Sequence, residues 1–242
     1  MIGVILAAGM AKRLRPLTDN TPKCLLKVGE KTLLQRTVDA MLQTGITEFV
    51  VVTGYLAGQI RDFLGTYYPS LTIHYLHNAD YDHNNNIYSL WMSGKVVRDR
   101  EFLLMDSDIL CDPAAVLHIA SEKDSALAVN CHELGEEEMK VVVDDEERIV
   151  EISKTCNPQA AMGESVGIEH ISAAYSHALF EELDQMITVE QLIDIFYERA
   201  FERLIPQGHT FRVVDTTHYF SYELDTPEDF ECAQRLMPPE LL

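Results

Sequence analysis

Basic residues are scarce in this chain of 242: Lys and Arg number 19 against 39 Asp and Glu, a formal charge of −20 with histidine neutral. A broad nucleic-acid-binding or anionic-membrane-binding face needs the opposite sign, so neither nucleic acid nor membrane is an expected partner. Long apolar runs are also missing, and nothing approaches the roughly 18–20 apolar residues of a membrane span. The first apolar run, Ile2 to Ala8, has no basic segment before it and reads as a strand rather than a signal peptide. The cysteines, Cys24, Cys111, Cys131, Cys156 and Cys232, are odd in number, far apart and without a CxxC pair. They support neither a disulfide framework nor a zinc site and suit a reducing, cytoplasmic setting. Gly-x-Gly-x-x-Gly is absent, as is a loop closed by Gly-Lys-Ser/Thr, which excludes a dinucleotide fingerprint and a Walker loop.

What is present is a globular composition, 47% hydrophobic and 24% charged, in a length that suits one large α/β domain. Ile2 to Ala7 is wholly apolar, as a strand covered on both faces must be. Leu33, Leu34, Val38, Met41 and Leu42 recur at helical spacing, with Gly45 where a left-handed residue would end the helix. Strands are expected at Glu48 to Thr53, Thr72 to Leu76 and Phe102 to Met105, with helices over Ile60 to Tyr67 and Ile87 to Val97 between them. This alternation predicts an α/β fold with a doubly wound, mostly parallel, mixed sheet. Ligands of such sheets sit beyond the carboxyl ends of the strands, so the segments after Ala7, Thr53, Leu76 and Met105 are expected to line one crevice.

After Ser125 the pattern is less regular. Strands are expected at Leu127 to Cys131, Lys140 to Val143, Arg148 to Ile152, Val166 to Ile171 and Thr210 to Val214. Helices are expected near Tyr175 to Met186, Val189 to Leu204 and Pro227 to Leu236. We read one continuous domain over residues 1–242, with a split near residue 124 as the alternative.

Charge is unevenly spread. Residues 1–31 hold Lys12, Arg13, Arg15, Lys23, Lys27 and Lys31 against Asp19 and Glu30, a net of +4 that leaves −24 on the rest. That cationic segment contains GVILAAGMAKRLRPLT, a buried strand running into small residues and then into Lys12, Arg13 and Arg15. Close backbone approach plus guanidinium forks is chemistry that binds phosphate.

The stretch resembles the signature of the nucleotidyltransferase family that includes sugar-1-phosphate nucleotidylyltransferases and bacterial CTP:phosphocholine cytidylyltransferases. The matching residues are Ala7, Ala8, Gly9, Arg13, Pro16, Leu17, Thr18, Pro22 and Lys23, with Ala11 standing where the signature has a second glycine. The resemblance implies a Rossmann-like nucleotidyltransferase fold, with residues 1–124 as a nucleotide-binding half and 125–242 as an acceptor-binding half. It implies that Leu6, Ala7, Ala8, Gly9, Met10, Ala11 and Lys12 contact the nucleotide, and that Arg13 and Lys23 neutralise charge around its α-phosphate. Met105-Asp106-Ser107-Asp108 ends an apolar strand in two carboxylates. The resemblance makes Asp108 a ligand of Mg²⁺, an ion that prefers oxygen donors, with Asp106 as the adjacent candidate; alone, Asp-x-Asp is often a loop or helix cap. Tyr222-Glu223-Leu224-Asp225 is similar to the family's second metal segment, and an extended chain would turn Glu223 and Asp225 to one side. Asp225 also stands where it would cap the last helix. Lys154 matches a lysine that reaches the acceptor phosphate, or is an exposed strand-end lysine.

The stretch Asn78 to Tyr81 followed by Asn85-Asn86-Ile87-Tyr88-Ser89-Leu90 resembles the phosphocholine branch, which implies base recognition by Asn78, Asn85, Asn86 and Ser89; Asn85 or Asn86 also suits a helix N-cap. Asp194 to Glu198, with Tyr197 and Glu198, is similar to an acidic, aromatic acceptor segment that would hold an amine, and equally has the composition of a core helix with an acidic edge. The implied reaction moves CMP from CTP to phosphocholine or an aminoalkyl phosphate or phosphonate, all small-molecule partners. The alternatives are an NDP-sugar-forming enzyme and a non-catalytic nucleotide-binding module. Oligomeric state is left open.

Overall fold

The computed structural model describes residues 1–241. In chain order its elements are β1 (Ile2–Ala7), β2 (Lys27–Val28), β3 (Lys31–Thr32), α1 (Leu33–Gln43), β4 (Glu48–Thr53), α2 (Ala57–Tyr67), β5 (Thr72–His77), α3 (Asn86–Val97), β6 (Phe102–Asp106), β7 (Ile109–Cys111), α4 (Pro113–Ala120), β8 (Ala126–Asn130), β9 (Lys140–Val143), β10 (Ile149–Ser153), β11 (Gly163–Ile171), α5 (Ala173–Asp184), α6 (Glu198–Leu204), β12 (Arg212–Asp215), β13 (Ser221–Glu223) and α7 (Pro227–Leu236). The main sheet has the order β10-β9-β11-β6-β1-β4-β5, with β8 joined to β11 and β12. β6, β1, β4 and β5 are parallel, whereas β11 runs antiparallel to β6, β8 and β9. This is a Rossmann-like α/β fold with a parallel central part and an antiparallel extension.

Every residue of β1 is buried because both faces are covered. Val4 and Leu6 enter one core with Leu104 and Leu90, while Ile5 and Ala7 enter the other with Met105 and Val38. That alternation is the two-residue strand period acting on a strand sandwiched between helix layers. A third cluster joins Val28 and Leu33 to Leu110, Leu224, Ala233 and Met237, so the C-terminal helix is packed against the early chain. No helix among the described residues is long and apolar enough to cross a membrane.

Several elements depart from expectation, the short β2–β3 pair among them. β7 and α4 follow β6 directly; three residues are too few to display a period, although Asp112 followed by Pro113 is a helix-start signal, and the Asp112 side chain does accept from the Ala114 amide at 2.8 Å. The helix expected over Val189 to Leu204 forms only from Glu198. Upstream of it, the Asn85 amide donates to the Ile193 carbonyl at 2.9 Å and the Tyr197 amide to Asn86 Oδ1 at 3.0 Å. These bonds to the start of α3 take backbone groups that a helix would have used.

Candidate active site

Where β1, β5 and β6 end, their following segments surround a cavity of about 390 Å³. The β4 exit does not line it. Gly54 instead packs beneath, so close that a β-carbon would lie 2.6 Å from the Ala8 carbonyl oxygen and 2.7 Å from Tyr81 Cβ. Leu6, Ala7, Ala8, Gly9, Ala11, Arg13 and Lys23 line the phosphate-loop end; Met10 and Lys12 lie outside the lining. Ala11 is in the left-handed region, φ 45° and ψ 55°, at the position where the resembling signature has glycine. The Ala11 carbonyl is held by the Leu14 amide at 3.0 Å and the Thr18 hydroxyl at 2.9 Å, which fix this turn.

Lys23 is buried, and its ammonium donates to Asp108 Oδ2 at 2.9 Å and Asp225 Oδ1 at 3.1 Å. Burial alone would lower its pKa, but the two carboxylates outweigh it and hold the pKa above the ordinary lysine value. Arg13 donates to the other oxygen of Asp225. The first and last parts of the chain therefore meet in one charge cluster.

The short β7–β13 pair explains how. Glu223 stands opposite Ile109, which sets the residue before β7 beside the residues at the end of β13. Asp108, Glu223 and Asp225 each offer a carboxyl oxygen, and these atoms lie within 4.8 Å of one another. Glu223 is open to solvent as a residue, yet loss of hydration around its carboxyl and the charges of Asp108 and Asp225 push it up to about 7. An oxygen-only set of this size fits a hard divalent cation. Asp106 lies outside the trio: its carboxylate accepts the Tyr197 hydroxyl at 3.1 Å. Burial, with Asp108 and Glu198 nearby, holds its carboxyl well above the usual range. Asp225 does not cap the last helix. Thr226 and Asp229 form a capping box, and Asp229 Oδ2 also accepts from the Asp225 amide at 3.2 Å.

A second corner is polar and neutral. Asn78 is buried, with its amide donating to Asn84 Oδ1 at 2.8 Å and Ser89 Oγ at 3.3 Å. Asn85 caps α3 through the Asn86 amide at 2.8 Å, and Asn78, Asn85, Asn86 and Ser89 all line the cavity.

The far wall comes from the irregular half. Lys154 Nζ is 4.9 Å from the Phe196 ring centroid and 3.4 Å from Glu137 Oε2. Glu198 lines the cavity, is 7% exposed, and its Oε2 has no hydrogen-bond partner among the described residues. Burial pushes it up to about 7, against a pull downward from its own backbone amide and from Lys154. Tyr197 is wholly buried behind this wall, with its hydroxyl also 3.3 Å from Glu169, and Asp194 is exposed and outside the lining. Phe196, from the acidic, aromatic stretch Asp194 to Glu198, lines the cavity, as do Glu137 and Glu164, which their sequence context did not single out.

An open α/β sheet with a cationic loop after its first strand and an acidic cation site facing that loop has the build of a nucleotidyltransferase. The chain belongs to the nucleotidyl transferase family, whose pattern it matches over residues 2–153. It is 27% identical to CMP-5'-(3-aminopropyl)phosphonate synthase of Streptomyces rubellomurinus over 98% of this chain and 39% of that protein. It is 38% identical to choline-phosphate cytidylyltransferase of Streptococcus pneumoniae over 92 residues, 38% of each chain. The chain thus matches well under half the length of these curated relatives. Its fold is that of the solved CTP:phosphocholine cytidylyltransferase from Streptococcus pneumoniae, with a TM-score of 0.82 at 22% identity, covering 98% of this chain and 99% of the other.

Proposed function

We propose that the protein transfers CMP from CTP to a small phosphorylated acceptor bearing a quaternary ammonium or an amine, phosphocholine or an aminoalkyl phosphate or phosphonate, and releases pyrophosphate. One cavity carries this reading: it has Arg13 and Lys23 at one end, and at the other a buried carboxylate, Glu198, without a partner beside the exposed ring of Phe196. A phosphate needs the first and an ammonium the second.

The acceptor phosphate has a second pKa near 6 and is already a nucleophile at neutral pH, so no general base is required. One of its oxygens forms the new bond to the α-phosphorus, and the bond to the bridging oxygen breaks, with its electron pair leaving on pyrophosphate. Arg13 and Lys23 would exchange carboxylate partners for phosphate oxygens, and Lys154 would hold the acceptor phosphate in line. Asp108, Glu223 and Asp225 would hold Mg²⁺, which supplies further neutralisation of the triphosphate. Asn78, Asn85, Asn86 and Ser89 offer amide and hydroxyl groups suited to a pyrimidine edge. The carboxylate of Glu198 would receive the acceptor ammonium, with Tyr197 behind it.

The test is pyrophosphate release with CTP, UTP, GTP or dTTP and Mg²⁺ against phosphocholine, 2-aminoethylphosphonate and several sugar 1-phosphates. Turnover with CTP and an amine-bearing acceptor is expected, and Asp108→Ala should abolish it. Turnover confined to sugar 1-phosphates would replace this reading by NDP-sugar formation, and none across the panel would leave a nucleotide-binding module.

A further inference from the structure

Lys140 opens β9 with a side chain only 1% exposed, flanked by Ser153 of β10 on one side and Glu164 of β11 on the other. An ammonium has three donors. Here all of them go to backbone carbonyls: Lys154 at 2.7 Å, Glu138 at 3.3 Å and Glu136 at 3.4 Å. Burying a charge without an opposite charge is unfavourable, and an apolar residue serves a strand interior better on stability alone. The adjacent pair Val141 and Ile152, on the other face of the same two strands, is buried and apolar.

The three carbonyls belong to two segments that continue the antiparallel β9–β10 pair beyond its last partners, Lys140 and Ser153: the acidic turn Glu136-Glu137-Glu138 before β9 and the residue that follows β10. Both segments send side chains into the cavity, Glu137 and Met139 from one and Lys154 from the other. Above the clamp Lys154 Nζ reaches Glu137 and the Phe196 face. Two glutamates of the turn have carboxyl partners of their own: Glu138 Oε2 accepts from the Gly135 amide at 2.8 Å, and Glu137 Oε2 lies 3.4 Å from Lys154 Nζ.

We propose that Lys140 is a positioning residue for nucleotidyl transfer: its buried ammonium ties the 136–138 turn to the end of β10 and so sets where Lys154 presents its charge to the acceptor. This rests on the function proposed above. Lys140 itself touches no substrate. The two phosphate-loop cations hang from β1 and its following turns, so the clamp acts on the acceptor side alone.

Lys140→Met keeps the length of the side chain and removes its donors. Expected are an acceptor KM raised about tenfold or more with the KM for CTP changed by less than about twofold, and faster hydrogen–deuterium exchange at amides 134–139 and 154–156. Lys140→Arg, which retains N–H donors and charge, should restore most of the acceptor KM. A folded Lys140→Met protein with unchanged exchange and unchanged acceptor KM overturns the proposal. So does a parallel rise in both KM values with a lower Tm, since that is a general structural lesion. If the methionine variant does not fold, Lys140→Gln, with two donors and no charge, takes the same measurements; failure of both to fold makes Lys140 a folding residue and also overturns the proposal. Should the wild type turn over no acceptor, the functional reading fails, while the exchange comparison still decides whether the clamp holds the two segments.

Discussion

Ala11 shows how a single residue type can carry a structural demand it does not suit. A left-handed conformation disfavours an L-residue with a β-carbon by roughly 1–2 kcal/mol, and Ala11 adopts it at φ 45°. Glycine relieves that strain but has roughly 0.5–1 kcal/mol more chain entropy to lose on folding. Ala11→Gly is therefore expected to stabilise the protein by about 0.5–1 kcal/mol, a Tm higher by about 2 °C in calorimetry for a chain of this size. A lower Tm would mean that the Thr18 and Leu14 bonds to the Ala11 carbonyl already offset the strain. Glu198 makes a pH-dependent counterpart. Burial raises its carboxyl from the ordinary 4.5 to about 7, so between those values the folded state keeps a proton that the unfolded chain has lost. Its stabilising contribution is full below about pH 4.5 and is lost as pH rises through about 7. Glu198→Gln removes this titration, and its Tm should gain on the wild type from pH 5 toward pH 8. Binding of an ammonium-bearing acceptor should strengthen more over the same window in the wild type than in the variant, where only the acceptor phosphate titrates. Parallel Tm curves would refute the assignment.

Among the elements, α7 fixes the cation segment from behind. The Thr226 side chain accepts from the Asp229 amide, and Asp229 accepts from the Thr226 and Asp225 amides, so the cap and the orientation of Asp225 are one arrangement. Thr226→Ala is expected to lower stability by about 1 kcal/mol and to weaken divalent-cation binding, measured by calorimetry; a stability loss with intact cation binding would separate the two. Local signals of this kind are what made much of the fold legible. β1, β4, β9, α1 and α7 announce themselves by period, capping residue or terminal glycine, as at Gly45 with φ 86°. Lys23 and Asp108 were marked by resemblance to a family signature rather than by period or cap, and the structure brings the two together. What was not legible depends on distant partners. β7 is too short to read alone and exists because β13 pairs with it. The segment before α6 is periodic enough to suggest helix but is held open by Asn85 and Asn86. Glu137 and Glu164 reach the far wall of the cavity, with Lys140 buried beside them, through antiparallel pairing of β9, β10 and β11, which residue spacing does not encode.

For the molecule as a whole, the charge of −20 matters most where it is locally reversed. Lys23 and Arg13, from the cationic N-terminal segment, sit against Asp108 from the middle of the chain and Asp225 from its end. The apolar cluster of Val28, Leu33, Leu110 and Leu224 joins the same three regions of chain. Packing therefore brings Lys23 and Arg13 against Asp108 and Asp225, where each charge satisfies the other; under the proposed function substrate would separate them. Lys23 then competes with any divalent cation for Asp108 and Asp225. Removing its charge by Lys23→Gln should tighten Mn²⁺ binding in the absence of nucleotide by about tenfold, the equivalent of about 1.4 kcal/mol, read by electron paramagnetic resonance or calorimetry. Turnover should fall by about 10²-fold or more, because the same ammonium is then missing at the phosphates. The pair is worth making together because the two effects have opposite signs: a variant that loses turnover and also binds Mn²⁺ more weakly has a disordered site, whereas tighter Mn²⁺ with lost turnover is the signature of a lysine that alternates between carboxylates and phosphate.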